Sequence, residues 1–189
     1  MRLLQDETIK RHKPTLVVNL FGAPGAGKST AAAYIFALLK MAGINAELVT
    51  EFAKDLVWEE SKEPFDNQAY IFGQQYFRMS RCKDKVDVIV TDSPLLLSVI
   101  YNRHPNAGFT IHVFNSFNTF ENRNYYLNRT HQFDESGRIH SEEESNAIAN
   151  KIKFLLRNYS VPYIEVDSTE ESYRNIANEI IRIIKGVTA

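Results

Sequence analysis

At 189 residues, with 44% apolar and 24% charged side chains, the chain has the length and balance of one globular α/β domain with a full core. A formal net charge of −1 excludes an overall positive field that would draw it to nucleic acid, and one cysteine excludes an internal disulfide or a cysteine-rich zinc site. The opening MRLLQDETIKRHKP carries two acids and no long apolar run, and no segment approaches the ~20 apolar residues of a membrane span; a cytoplasmic protein with no membrane partner is expected.

Short apolar runs alternate with longer amphipathic stretches along the whole chain. That pattern predicts a single α/β domain over 1–189, about five parallel strands between layers of helices. The first predicted strand, 15–21, runs straight into GAPGAGKST and then a predicted helix at 28–41. Gly22, Gly27, Lys28 and Ser29 fit G-x-x-x-x-G-K-[ST] without a mismatch, in the strand–loop–helix context the motif requires, so a P-loop NTPase fold is expected. The physical reason is local. Glycines permit a tight loop whose successive N–H groups face phosphate oxygens, and the helix start adds its positive dipole end. The predicted ATP cradle is therefore Gly22, Ala23, Pro24, Gly25, Ala26, Gly27, Lys28, Ser29 and Thr30, with Lys28 on the β- and γ-phosphates and the Ser29 hydroxyl on Mg²⁺. The motif identifies a triphosphate site and leaves open where the phosphate goes.

Gly43 fits the cap after that helix, and a second strand, 46–50, ends at Glu51. A carboxylate there can bond a substrate hydroxyl and act as general base; the alternative is a residue favoured by the dipole at the start of the next helix, 52–60. Asp55, one turn on, is the reserve candidate, and Trp58 reads as core. A helix at 67–83 is rich in aromatics and places Tyr70, Gln74 and Arg78 on one face with Gln75 adjacent. Aromatic rings can sandwich a base and a glutamine amide can pair with its edge; the alternative is a core-facing stripe with solvated glutamines. Cys82, followed by Lys-Asp-Lys, suits the exposed end of that helix as a spectator.

The third strand, 86–91, ends in Thr91-Asp92. The carboxyl ends of strands in an open α/β sheet face the ligand crevice, so Asp92 is a candidate to hold Mg²⁺ or to take the acceptor's proton. A strand at 110–114 and a helix at 119–127 are expected next. The polar stretch that follows contains Arg123, Arg129, Gly137 and Arg138 and reads as a lid over about 122–141. Its arginines can neutralise charge on a transferred phosphoryl, with Arg129 preferred as the catalytic one and Gly137 as a pivot. Ser141 with Glu144 predicts a capping box before a helix at 142–159; a strand at 163–166 and a helix at 170–185 complete the chain. The five scattered histidines show no metal-ligand spacing.

In these residues the chain resembles two related groups of P-loop kinases. One is the deoxyribonucleoside kinases; the other is the nicotinamide riboside kinase-like ATPase/kinase group, which includes phage-encoded members. The resemblance implies a general-base role for Glu51, since deoxyribonucleoside kinases carry a glutamate after their second strand. It implies a base-reading glutamine in Gln74-Gln-Tyr-Phe-Arg-Met-Ser-Arg81, Gln74 or its rival Gln75. Thr91-Asp92 looks like the T-D ending of the third strand in the second group. Two patterns depart: Asp92-Ser93-Pro94 has no arginine beside the acid where deoxyribonucleoside kinases have E-R-S, and Trp58 lies seven residues after Glu51 with no proline following the glutamate.

The expected activity is therefore ATP- and Mg²⁺-dependent transfer of a γ-phosphoryl group to a hydroxyl of a nucleoside or nucleotide-like acceptor. One alternative, implied by the phage relatives, is phosphorylation of 5-hydroxymethyluracil in DNA, which would make modified DNA the partner. Another is an ATP-binding P-loop regulatory module with slight catalysis. A homodimer and a monomer are both compatible with the sequence.

Overall fold

A computed structural model describes residues 14–130, 132 and 141–186. In chain order the elements are β1 (Leu16–Phe21), α1 (Lys28–Met41), β2 (Ala46–Val49), α2 (Phe52–Trp58), a 3-10 turn (Glu63–Asp66), α3 (Gln68–Ser80), β3 (Val88–Thr91), α4 (Leu97–Tyr101), α5 (Ala107–Phe117), β4 (Glu121–Asn128), α6 (Glu142–Asn158), β5 (Ile164–Asp167) and α7 (Glu170–Lys185). The five strands form one parallel sheet in the order β2-β3-β1-β4-β5. This is the expected α/β P-loop architecture.

Strand periodicity divides the core in two. Leu16, Val18 and Leu20 of β1 face α1 and α7, where Ala31, Ile35, Leu39, Ile176, Ala177 and Ile180 cover them. Val17 and Phe21 face the other way, onto Phe72, Val113, Phe117, Ile152 and Leu156 from α3, α5 and α6. β1 is buried at every residue, which is why it reads as a continuous apolar run. Gly43 follows α1 with φ +76, and Ser141 with Glu144 forms the expected capping box at α6.

The fourth strand lies elsewhere than the sequence suggests. Residues 110–114 belong to α5, and the stretch expected as a helix, 119–127, is β4, paired with β1 over six residues. The apolar TIHVF run mimics a strand, whereas ENRNYYLN is too polar at its start to look like one. Its asparagine side chains find partners inside the fold. Asn19 Nδ2 donates to Asn122 Oδ1 (2.9 Å) and Asn124 Oδ1 (3.0 Å). Asn122 Nδ2 donates to the Phe117 and Phe120 carbonyls, and Asn124 Nδ2 to the Pro162 carbonyl. Partnered amides can occupy a central strand that a hydropathy reading denies them. The short α4 was likewise not expected. Among the described residues no helix is long and apolar enough to cross a membrane.

Candidate active site

Three strand ends converge on the P-loop. β1 sits between β3 and β4, so the loop after β1 opens beside the end of β3, with the end of β2 one strand further out. Gly27 has φ +82, a left-handed conformation that favours glycine, and α1 starts at the next residue. Lys28 Nζ donates to the carbonyls of Gly22 (2.9 Å) and Ala23 (3.0 Å), which folds its ammonium back over the loop. Ser145 at the start of α6 donates its hydroxyl to the Pro24 carbonyl (2.8 Å), bracing the loop from the other side of the sheet.

Ser29 Oγ donates to Asp92 Oδ2 at 2.6 Å. Asp92 is 4% exposed, and its Oδ1 is buried without a hydrogen-bond partner among the described residues. A carboxylate oxygen left in that state is costly unless something positive meets it. Hydroxyl plus carboxylate is an all-oxygen donor set, the kind a hard cation such as Mg²⁺ takes. The residues present therefore fit the expected metal.

Glu51 stands at the N-cap of α2, yet its side chain makes no capping bond, so the helix-dipole alternative has no hydrogen bond behind it. Burial raises its carboxyl pKa above the ordinary glutamate value; Lys28 pulls it back down, Asp92 pushes it further up, and Lys54 lowers it. Those neighbours place Glu51, Lys28 and Asp92 in one electrostatic environment. Burial and then Glu51 raise the hydroxyl pKa of Tyr101 on α4, which puts this tyrosine on the same side of the crevice. Tyr101 carries no motif in the sequence and sits on α4, a helix not expected from it.

The α3 candidates separate on inspection. Gln75 is buried, and both ends of its amide are engaged: Oε1 accepts from Phe52 N (2.9 Å) and Nε2 donates to Thr50 O (3.3 Å). Those two partners flank Glu51. Gln75, the rival of Gln74 for reading a base, thus holds the turn that carries Glu51. Gln74 is half-buried on the next helical position. Tyr70 packs edge-on against Phe52, with ring centroids 5.6 Å apart, and is largely exposed. The Arg78 guanidinium lies 5.0 Å from the Phe52 ring centroid and pairs with Asp55, which takes the reserve carboxylate into an ion pair. Trp58 is 78% exposed at the end of α2, contrary to the core position expected of it.

The arginines also differ. Arg123 is part of β4, opposite Val18, and pairs with Glu179 of α7. It lies five positions before the strand's last residue, about 17 Å of extended chain, so it is remote from the crevice end. Arg129 directly follows β4 and donates to Glu142 Oε1 (2.7 Å) and Asn146 Oδ1 (3.2 Å) of α6. It lines a groove of about 280 Å³ with Ala23, Ala26, Tyr126, Asn146 and Lys153, next to the P-loop. A larger depression, about 410 Å³, lies along α6 around Phe154 and includes no P-loop residue. Residues 122–128 of the expected lid are thus strand, while Gly137 and Arg138 lie outside the described residues.

A five-stranded parallel sheet of this order, with its Gly-Lys-Ser loop after the central strand and a Ser29–Asp92 pair beside it, defines a P-loop NTPase-like protein. A family profile described as an AAA domain matches residues 17–174, most of the chain, and the chain belongs to that family. Nucleotide binding is what such a domain implies. Among solved structures, the chain is similar to the NadR protein in complex with NR, at TM-score 0.64 and 14% identity, covering 92% of this chain and 52% of that one. The chain thus spans about half of that protein. It is also similar to deoxyadenosine kinase from M. mycoides with products dCMP and a flexible dCDP bound, at TM-score 0.52 and 15% identity, covering 90% of this chain and 100% of that one. At these identities the likeness is one of fold. A search of curated proteins finds no significant match.

Proposed function

We propose that the protein is an ATP-dependent kinase that transfers the γ-phosphoryl group to a hydroxyl of a nucleoside or nucleotide-like acceptor. The observation that carries this reading is the convergence of Lys28, the Ser29–Asp92 pair and Glu51 at the ends of β1, β3 and β2. Donor groups and a carboxylate suited to a hydroxyl stand on adjacent sides of one crevice. A simple nucleotide switch needs the first set and not the second. The two structural neighbours support the acceptor class, since one carries NR and the other deoxycytidine nucleotides.

In this reading the P-loop N–H groups and Lys28 hold the β- and γ-phosphates, and Arg129 neutralises charge on the transferred group. Ser29 and Asp92 would hold Mg²⁺, whose charge offsets that of the phosphate oxygens. Glu51 accepts the hydrogen bond of the acceptor hydroxyl and takes its proton as the new O–P bond forms and the bond from the γ-phosphorus to the ADP oxygen breaks. Gln74 and Tyr70 line the acceptor side. Arg78 on that side already carries Asp55 as its carboxylate partner.

The test follows label from γ-labelled ATP into nicotinamide riboside, the deoxyribonucleosides, their monophosphates, and DNA containing 5-hydroxymethyluracil. Label entering a free nucleoside is expected. Label entering only the modified DNA would replace the acceptor class, and ATP turnover indifferent to every acceptor would leave a regulatory module.

A further inference from the structure

Ser168 is the first residue beyond β5, is buried, and is tied on every side. Its N–H donates to the Asn128 carbonyl (2.9 Å) and its carbonyl accepts from Thr130 Oγ1 (3.0 Å), both at the exit of β4. Its hydroxyl donates to the Ala26 carbonyl of the P-loop at 2.7 Å and meets the Tyr173 hydroxyl of α7 at 2.5 Å. A carbonyl oxygen can only accept, so the Ser168 proton is committed to Ala26 and the Tyr173 hydroxyl is the donor to Ser168 Oγ.

The Ala26 carbonyl shares a peptide plane with the Gly27 N–H. In a planar trans peptide the two point in opposite directions, so holding the carbonyl outward on Ser168 aims the Gly27 N–H into the loop's concave side. That is the side where a phosphate-binding nest needs its donors. Gly27 itself leaves the room for this contact: a Cβ there would lie 2.5 Å from Ser168 Oγ and 3.1 Å from the Tyr173 hydroxyl.

We propose that Ser168, braced by Tyr173, is a positioning residue for triphosphate binding, latching the Ala26–Gly27 peptide so that the Gly27 N–H faces the phosphates. The proposal rests on the nucleotide reading of the P-loop and needs no particular acceptor. It places the recognition on the phosphates and not on the base, and calorimetry with Mg·ATP and with Mg·tripolyphosphate, which has neither base nor ribose, separates the two. In Ser168→Ala both affinities should fall by about tenfold, the scale of one buried hydrogen bond lost with its partner left unpaired. Tyr173→Phe keeps the Ser168 hydroxyl on Ala26 and should cost both ligands about threefold or less. Weaker ATP binding with tripolyphosphate unchanged would assign Ser168 to the base or ribose and overturn the latch, as would wild-type affinity for both. If Ser168→Ala does not fold, amide NMR of the wild-type protein decides. The Gly27 resonance should move strongly on adding tripolyphosphate, and a Gly27 signal that stays in place overturns the proposal. Wild-type protein that binds neither probe removes the P-loop reading itself, a result distinct from wild-type binding that the variants retain.

Discussion

Lys28 and Glu51 show how much single side chains decide in this crevice. In the proposed reading Lys28 brings a point charge to the phosphates, so Lys28→Ala should leave the thermal transition near that of the wild type while transfer falls on the order of 10²-fold or more. Activity assays paired with a melting curve check both halves. Glu51 carries a conflict between stability and function. Burial raises its folded-state pKa, so the native state binds more protons than the unfolded state between the ordinary and the raised value. Stability is then lost as pH rises through that window, because a buried carboxylate must ionise. Glu51→Gln removes the loss. The variant should melt higher than wild type near pH 7 and close to it near pH 3, where the wild-type carboxyl is protonated in both states. A melting-point difference independent of pH would contradict the buried setting of this group.

At the scale of elements, the β2–α2 turn and β4 carry the parts that sequence reading could and could not reach. Gln75 on α3 ties the residues either side of Glu51, whereas Gln74 leaves that turn untouched. Gln75→Leu should therefore cost about 1–3 kcal/mol of stability and slow transfer with ATP affinity unchanged. Its effect on transfer should largely vanish in a Glu51→Gln background, because both changes act through one carboxylate. Gln74→Leu should instead raise the acceptor KM more than the ATP KM, without that coupling. Steady-state kinetics of the three variants and the double variant test the division of labour. In β4, Asn124→Ala strips a partner from both Asn19 and the Pro162 carbonyl, and chemical denaturation should show a loss of about 1–3 kcal/mol. The P-loop was legible because its motif is local: a strand, a glycine loop and a helix within one stretch of chain. Glu51 and Asp92 were legible because strand ends point to the crevice. β4 was hidden because Asn122 and Asn124 meet Asn19 of β1, and Asn124 also the Pro162 carbonyl, contacts that no local window contains. The hold of Gln75 on the Glu51 turn was hidden for the same reason, since its partners lie more than twenty residues away. Ser168 also follows a strand end, so the same rule would have flagged it.

For the whole molecule, the strand order is what makes the crevice. Placing β3 beside β1 and β2 beyond it sets the Ser29–Asp92 pair between the P-loop and Glu51. In the proposed reading, donor and acceptor sides are then arranged along one sheet edge, and transfer needs little covalent help from the protein beyond alignment and charge. The central claim is that the two carboxylates divide these roles, Asp92 for the metal and Glu51 for the acceptor. The measurement that tests it most directly is single-turnover transfer from labelled ATP across a Mg²⁺ titration, alongside ATP affinity, for wild type, Asp92→Asn and Glu51→Gln. Asp92→Asn should shift the Mg²⁺ requirement upward, because an amide is a poorer partner for the cation. Glu51→Gln should keep the wild-type Mg²⁺ dependence and ATP affinity while transferring more slowly. An Asp92→Asn variant with unchanged Mg²⁺ dependence, together with a Glu51→Gln variant that loses ATP, would contradict the account.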